Sequence, residues 1–168
     1  MKKLFAILLV VAMLLALAGC AGGETSSDNP SNNSNASVSS SDADPIRIGI
    51  WTSLTGASAI EGELIENGAR LAAAQWNAKG GINGRQIDFV VYDDQSTTEG
   101  AVTATTRLIE NDKVDAIIGS NLSNSIVATA SLIEEAGIPF VGSGTGTAWT
   151  KCGYHYIFRG NSCQFLHE

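Results

Sequence analysis

The chain has 168 residues, 44% of them hydrophobic, with 10 Lys and Arg against 17 Asp and Glu and a net charge of −7. This length holds about one domain plus appendages. The acidic balance argues against nucleic acid as a partner, and because the acids are spread along the chain without forming a tail they read as a solvated surface.

Lys2 and Lys3 precede an apolar run from Leu4 to Ala18. The run is shorter than the ~20 residues of a membrane-crossing helix and has the layout of a secretory signal, taken here as residues 1–19. From Ala21 to Asp44 the chain is almost entirely Ser, Asn, Asp, Gly and Thr. Such a stretch has too little to bury to offset the entropy of ordering, so residues 20–45 are expected to be a flexible tether.

A folded part is expected over 46–168. Ile46 to Trp51 is Ile-rich and alternating and reads as a strand, followed by the small polar loop Thr52 to Ser58. Ile65, Ala69, Ala72 and Trp76 recur at helical spacing and define the expected buried face of a first helix, which stops at Lys79-Gly80-Gly81. A turn through Asn83-Gly84 leads to a second strand, Gln86 to Tyr92, ending at Asp93-Asp94. Ala101, Thr105 and Leu108, flanked by Val102 and Ile109, mark a second helix. The run Val114 to Ile118 is a third strand. It ends in Gly119-Ser120-Asn121-Leu122-Ser123-Asn124-Ser125, from which a third helix with Ile126, Ala130 and Ile133 on one face runs to Gly137. Ile138 to Val141 is a fourth strand, residues 142–147 a glycine-rich loop, and Tyr156 to Arg159 a fifth strand.

Strands alternating with helices imply a parallel α/β sheet covered on both faces, with a flavodoxin-like order of 2-1-3-4-5 expected. That order gathers the loops after the first, third and fourth strands along one edge. At the end of the third strand, the first N–H groups of the following helix lack internal partners and its dipole favours an anion, so the stretch from Gly119 to Ser125 is the expected seat of a carboxylate. Ser and Asn are also ordinary helix caps, and that reading of Ser123, Asn124 and Ser125 stays open beside the first.

No catalytic residue, cofactor or metal is expected. The chain has no Gly-x-Ser-x-Gly elbow, phosphate-cradling glycine loop, His-Glu-x-x-His pair or dinucleotide fingerprint. Asp93-Asp94 reads as a turn, and His155 and His167 have no evident carboxylate or nucleophile partner. A Cys152–Cys163 disulfide is not expected, because a straight strand between them would hold the thiols roughly 20 Å apart.

Several strings carry a family resemblance. Leu54-Thr55-Gly56, Asn67-Gly68-Ala69, Asn77-Ala78-Lys79-Gly80-Gly81-Ile82-Asn83-Gly84-Arg85, Tyr92-Asp93-Asp94 and Ala116-Ile117-Ile118-Gly119 resemble the amino-terminal lobe of type I periplasmic binding proteins. Among these the chain is most similar to the branched-chain amino acid binding proteins of ABC importers, over Ile46 to Arg159. Leu17-Ala18-Gly19-Cys20 resembles a lipobox, which implies lipidation at Cys20 and a lipid anchor on the outer face of a membrane.

The resemblance implies a binding protein and not an enzyme, with an amino acid or amide as small-molecule ligand and a membrane permease as partner. It implies that the ligand's carboxylate is held by Ser123, Asn124 and Ser125 after the third strand and by Ser143, Gly144 and Thr145 after the fourth. Where several family members carry an aromatic residue in the loop after the first strand, this chain has Ile60-Glu61-Gly62. Family members continue into a second lobe, whereas residues 160–168 do not follow that pattern, and a truncated product is expected. The rival readings are a receptor's ligand-binding sensor domain, an inert lipoprotein fragment and, against the residues, a secreted hydrolase.

Overall fold

The computed structural model describes residues 43–161. The expectations for the leader, Cys20, most of the tether, Cys163 and His167 lie outside the described residues. Within them the chain alternates strand and helix as the periodicity requires. The strands are β1 (Ile46–Thr52), β2 (Ile87–Asp93), β3 (Ala116–Ile118), β4 (Phe140–Gly142) and β5 (Ile157–Arg159). The helices are α1 (Ala59–Asn77), α2 (Thr98–Arg107) and α3 (Ser123–Ala136). A π turn, Leu108–Asp112, ends α2, and a 3-10 turn, Ala148–Thr150, interrupts the β4–β5 connection. Among the described residues no helix is long and apolar enough to cross a membrane.

All strand pairs are parallel and the order is β2-β1-β3-β4-β5, as expected. In register, Ile50 pairs with Val91 on one side and with Ile118 on the other, so β1 is an interior strand flanked by β2 and β3. Right-handed crossovers place α1 on one face and α2 and α3 on the other. The side chains agree: Arg70 of α1 lies over the Phe89 ring, while Trp51, Ile117 and Phe140 cluster with Ala101 and Ala104 of α2 and Ile126, Ala130 and Ile133 of α3. The second and third helices therefore bury the faces that their spacing marks. Gly137 closes α3 at φ 65°, the left-handed conformation that glycine adopts without strain.

The first helix departs from expectation. Its buried positions are Gly62 and Ala73, and Trp76 is 53% exposed with Lys79 over its ring. The cause is close approach: a Cβ on Gly62 would come within 1.8 Å of the Ser53 carbonyl oxygen, so α1 lies flush on the end of β1 at that point and is turned away from its bulkiest stripe. Counting large apolar residues finds that stripe but not the contact that only a missing side chain allows.

Candidate functional site

The C-terminal ends of the parallel strands carry four loops, and side chains lock them in pairs. After β2, the two neighbouring carboxylates reach across to the loop after β1. Asp93 Oδ1 accepts from Leu54 N–H at 2.9 Å and Gln95 N–H at 2.7 Å, and Asp93 Oδ2 from the Thr55 hydroxyl at 2.6 Å. Asp94, fully buried, accepts from the Ser53 hydroxyl at 2.7 Å and from Ser96 N–H at 2.8 Å. Ser96 returns the link by donating to the Thr55 carbonyl and accepting from Ser58 N–H. What reads as a plain turn is thus also a clamp between two loops.

Burial alone would raise the Asp93 carboxyl, but the Thr55 hydroxyl and the N–H groups of Gln95, Leu54 and Thr55 outweigh it and hold Asp93 below the ordinary aspartate range. Because the folded value is the lower one, the clamp contributes fully above the unfolded value of about 4 and is lost as pH falls through the folded value. Asp93→Asn should therefore destabilise the chain at neutral pH, with the gap to the parent closing between about pH 5 and pH 3. Urea unfolding at both ends of that range reads the gap, and one of equal size at both pH values would exclude this role for Asp93.

The start of α3 lies at the end of the third strand. Leu122 occupies the cap position and offers no side-chain hydrogen bond, and Ile126 N–H is the one that reaches back to the Leu122 carbonyl. The N–H groups of Ser123, Asn124 and Ser125 are the first-turn donors that a helix cannot satisfy internally. These three residues line an open cavity of about 250 Å³ together with Ser96, Thr98 and Leu122. Asn124 is exposed at its rim and Ser125 is buried.

Ser96 and Thr98 are the residues that sequence reasoning missed. Counting loops along the strand order sets the β2 loop apart, on the far side of β1. Yet α2 must cross β1 to reach β3, and the crossover carries its amino-terminal end toward that of α3. The strand order itself holds that signal.

The expected residues after β4 meet the same helix start. Ser123 Oγ accepts from Gly146 N–H at 3.0 Å, and a Cβ on Gly144 would come within 2.8 Å of that oxygen. Ser143 N–H donates to the Ser120 carbonyl, while the Ser143 hydroxyl is buried without a partner among the described residues. Thr145 is exposed. Ser143, Gly144 and Thr145 do not line the cavity, and of the three Gly144 is the one that approaches Ser123.

Two further residues fall outside the site. His155, expected to lack a carboxylate partner, has one: its backbone N–H and Nδ1 both meet Glu134 of α3, whose carboxylate also accepts from Tyr156 N–H. Burial would raise Glu134, but these donors outweigh it and hold it below the ordinary glutamate range. Cys152 is exposed, and its Sγ donates to the Ala148 carbonyl at 2.8 Å. Among the described residues no three His, Cys, Asp or Glu side chains are grouped as metal ligands.

A family model described as periplasmic binding protein matches residues 45–164. The chain belongs to that family. This periplasmic binding protein chain is 36% identical over 118 residues to the leucine-specific-binding protein of Salmonella typhimurium, covering 70% of this chain and 32% of that one. It is 38% identical over 113 residues to an amino acid binding protein of Pseudomonas aeruginosa, covering 67% of this chain and 30% of the relative. In three dimensions it is similar to the branched-chain amino acid transporter substrate binding protein LivJ from Streptococcus pneumoniae, solved in complex with isoleucine. The TM-score is 0.68 at 36% identity, over 71% of this chain and 34% of that one. The chain thus spans about a third of the length of the relatives it matches. These relatives are named as binding proteins, in keeping with the expectation of a non-enzyme.

Proposed function

We propose that the chain carries the signal, tether and greater part of the first lobe of an extracytoplasmic solute-binding lipoprotein that serves an ABC importer. Its ligand is a branched-chain amino acid or a related small molecule held by its carboxylate. The observation that carries this reading is the start of α3, where Ser123, Asn124 and Ser125 of a first turn with no side-chain cap line a cavity with Ser96 and Thr98. An anion there satisfies backbone donors and meets the positive end of the helix dipole. Ser123 ties that helix start to the glycine-rich loop after β4, so Ser123, Asn124 and Ser125 form one side of the carboxylate seat and Ser143, Gly144 and Thr145 the other.

In this reading Cys20 bears the lipid, residues 21–45 let the head move above the membrane, and a second lobe supplies the opposite wall of the cleft. Closure of two lobes on the ligand creates the surface that a permease recognises. Similarity to relatives named for leucine and to a neighbour bound to isoleucine supports the ligand class. Isothermal titration of the chain with isoleucine, leucine, valine and small amides tests it. Saturable heat with the amino acids supports the reading; absence of heat with every ligand makes the chain an inert fragment as far as binding goes.

A further inference from the structure

The large apolar residues that α1 keeps out of the core form a pattern. Ile60, Leu64 and Leu71 are 76%, 66% and 63% exposed. With the exposed Asn67 they recur at steps of four, three and four, the spacing of a coiled-coil seam, on the side of the helix away from the buried Gly62 and Ala73. A single exposed leucine needs no explanation, but a contiguous seam does. Beside it stands Gly68, exposed, with nothing within 4 Å of the place a Cβ would take. Glycine in a helix interior costs about 1 kcal/mol against alanine, and here it relieves no contact among the described residues. What it does allow is close approach by another backbone.

Charge indicates which backbone that is. One flank of the seam carries Glu63 and Arg70, seven residues apart and therefore at equivalent places along it. Glu63 is exposed, and Arg70, although it holds Glu66 through Nε and Nη2, keeps its side chain 51% exposed. Laying a second α1 antiparallel brings matching flanks together. In the register that sets Ile60 against Leu71 of the second copy and Leu64 against its Asn67, Glu63 of each copy falls beside Arg70 of the other. Two symmetric ion pairs then border the seam. The two Asn67 amides come to either side of the twofold, roughly 4.5 Å apart along the helix axis, where they can pair and fix the register. Sliding the helices by one heptad instead brings Arg70 against Arg70. A parallel pair sets Glu63 opposite Gly68 and Arg70 opposite Gln75, with no charge matched. The helix is thus complementary to its own reverse, which is the condition for an isologous contact.

We propose that the exposed face of α1 is a self-association surface, on which a second copy of this chain docks antiparallel through Ile60, Leu64, Asn67 and Leu71. Four layers bury less than a standard interface, so the dimer is weak and forms as concentration rises. The surface uses none of the residues proposed to hold a carboxylate and does not depend on that reading.

Sedimentation equilibrium of the full chain over about two decades of concentration tests this, with the variants Leu64→Glu, Glu63→Arg, Arg70→Glu and the double variant E63R/R70E. Thermal unfolding of each variant confirms that it is folded. The parent should pass from monomer to dimer. L64E should weaken the dimer by about 100-fold or more, because it buries an unpaired charge in the seam. E63R should weaken it about tenfold, since both ion pairs become like-charge contacts, and R70E should do the same. The double variant should recover to within about threefold of the parent, which only the antiparallel register explains. A parent that stays monomeric throughout would overturn the proposal and leave the seam to a different occupant. Association that none of the α1 variants alters would also overturn it and assign the contact to another part of the chain, such as the apolar run from Leu4 to Ala18. Loss in L64E without recovery in E63R/R70E would overturn the antiparallel pairing.

Discussion

Phe140→Ala is expected to cost about 3–5 kcal/mol, a large part of what a domain of this size has to lose. Phe140 is fully buried, stacks on Trp51 with ring centroids 5.9 Å apart, and lies beneath the backbone of both loops that form the proposed carboxylate seat. A Cβ on Gly119 would meet the Phe140 ring at 2.2 Å and one on Gly142 at 2.8 Å, so the ring is the platform on which both strand ends rest. Truncation removes the stacking and leaves a hole among Trp51, Ile117 and Ile126 that rigid strands cannot close. Phe140→Leu keeps much of the volume and should cost clearly less. Urea midpoints at constant slope give both values. A loss below about 1 kcal/mol for the alanine variant would mean that the site relaxes freely and that Phe140 is no platform.

The same glycines show which parts of the fold could be read from residues alone. Strand order followed from short connections between apolar runs, because right-handed crossovers leave few topologies for such a pattern. The buried faces of α2 and α3 followed from Ala101, Thr105, Leu108, Ile126, Ala130 and Ile133, since these helices pack by ordinary side-chain burial. For α1 the rule failed at Gly62, where backbone meets backbone and hydrophobic spacing carries no information.

The proposed site divides in the same way. Ser123 to Ser125 were legible because a helix start after a parallel strand is a local feature. Ser96 and Thr98 reach the cavity only through a crossover, and Asp93 and Asp94 became a clamp only when β1 and β2 were laid side by side. The sequence marked Arg159 as a strand residue and nothing more. Its hold on the Gly144 and Gly146 carbonyls depends on the path of the preceding loop, which glycine-rich composition leaves undetermined.

Asn124→Glu separates stability from binding by moving them in opposite directions. Asn124 is exposed in the first turn of α3, and among the described residues no side chain caps that turn. A carboxylate there meets the uncompensated N–H groups and the positive end of the dipole, and should stabilise the chain by about 0.3–1 kcal/mol at low salt. It also places a fixed negative charge where the ligand's carboxylate is proposed to lie, so isoleucine affinity should fall by about 100-fold through like-charge repulsion. Asn124→Gln extends the side chain equally without charge and should leave both quantities near the parent. Added salt should shrink the stability gain, because the new charge is screened at the surface. Thermal unfolding and isoleucine titration of the three proteins provide the comparison. If Asn124→Glu stabilises the chain and still binds isoleucine as the parent does, the helix start accepts an anion but is not where the ligand's carboxylate goes, and the seat must be sought at the β4 loop alone.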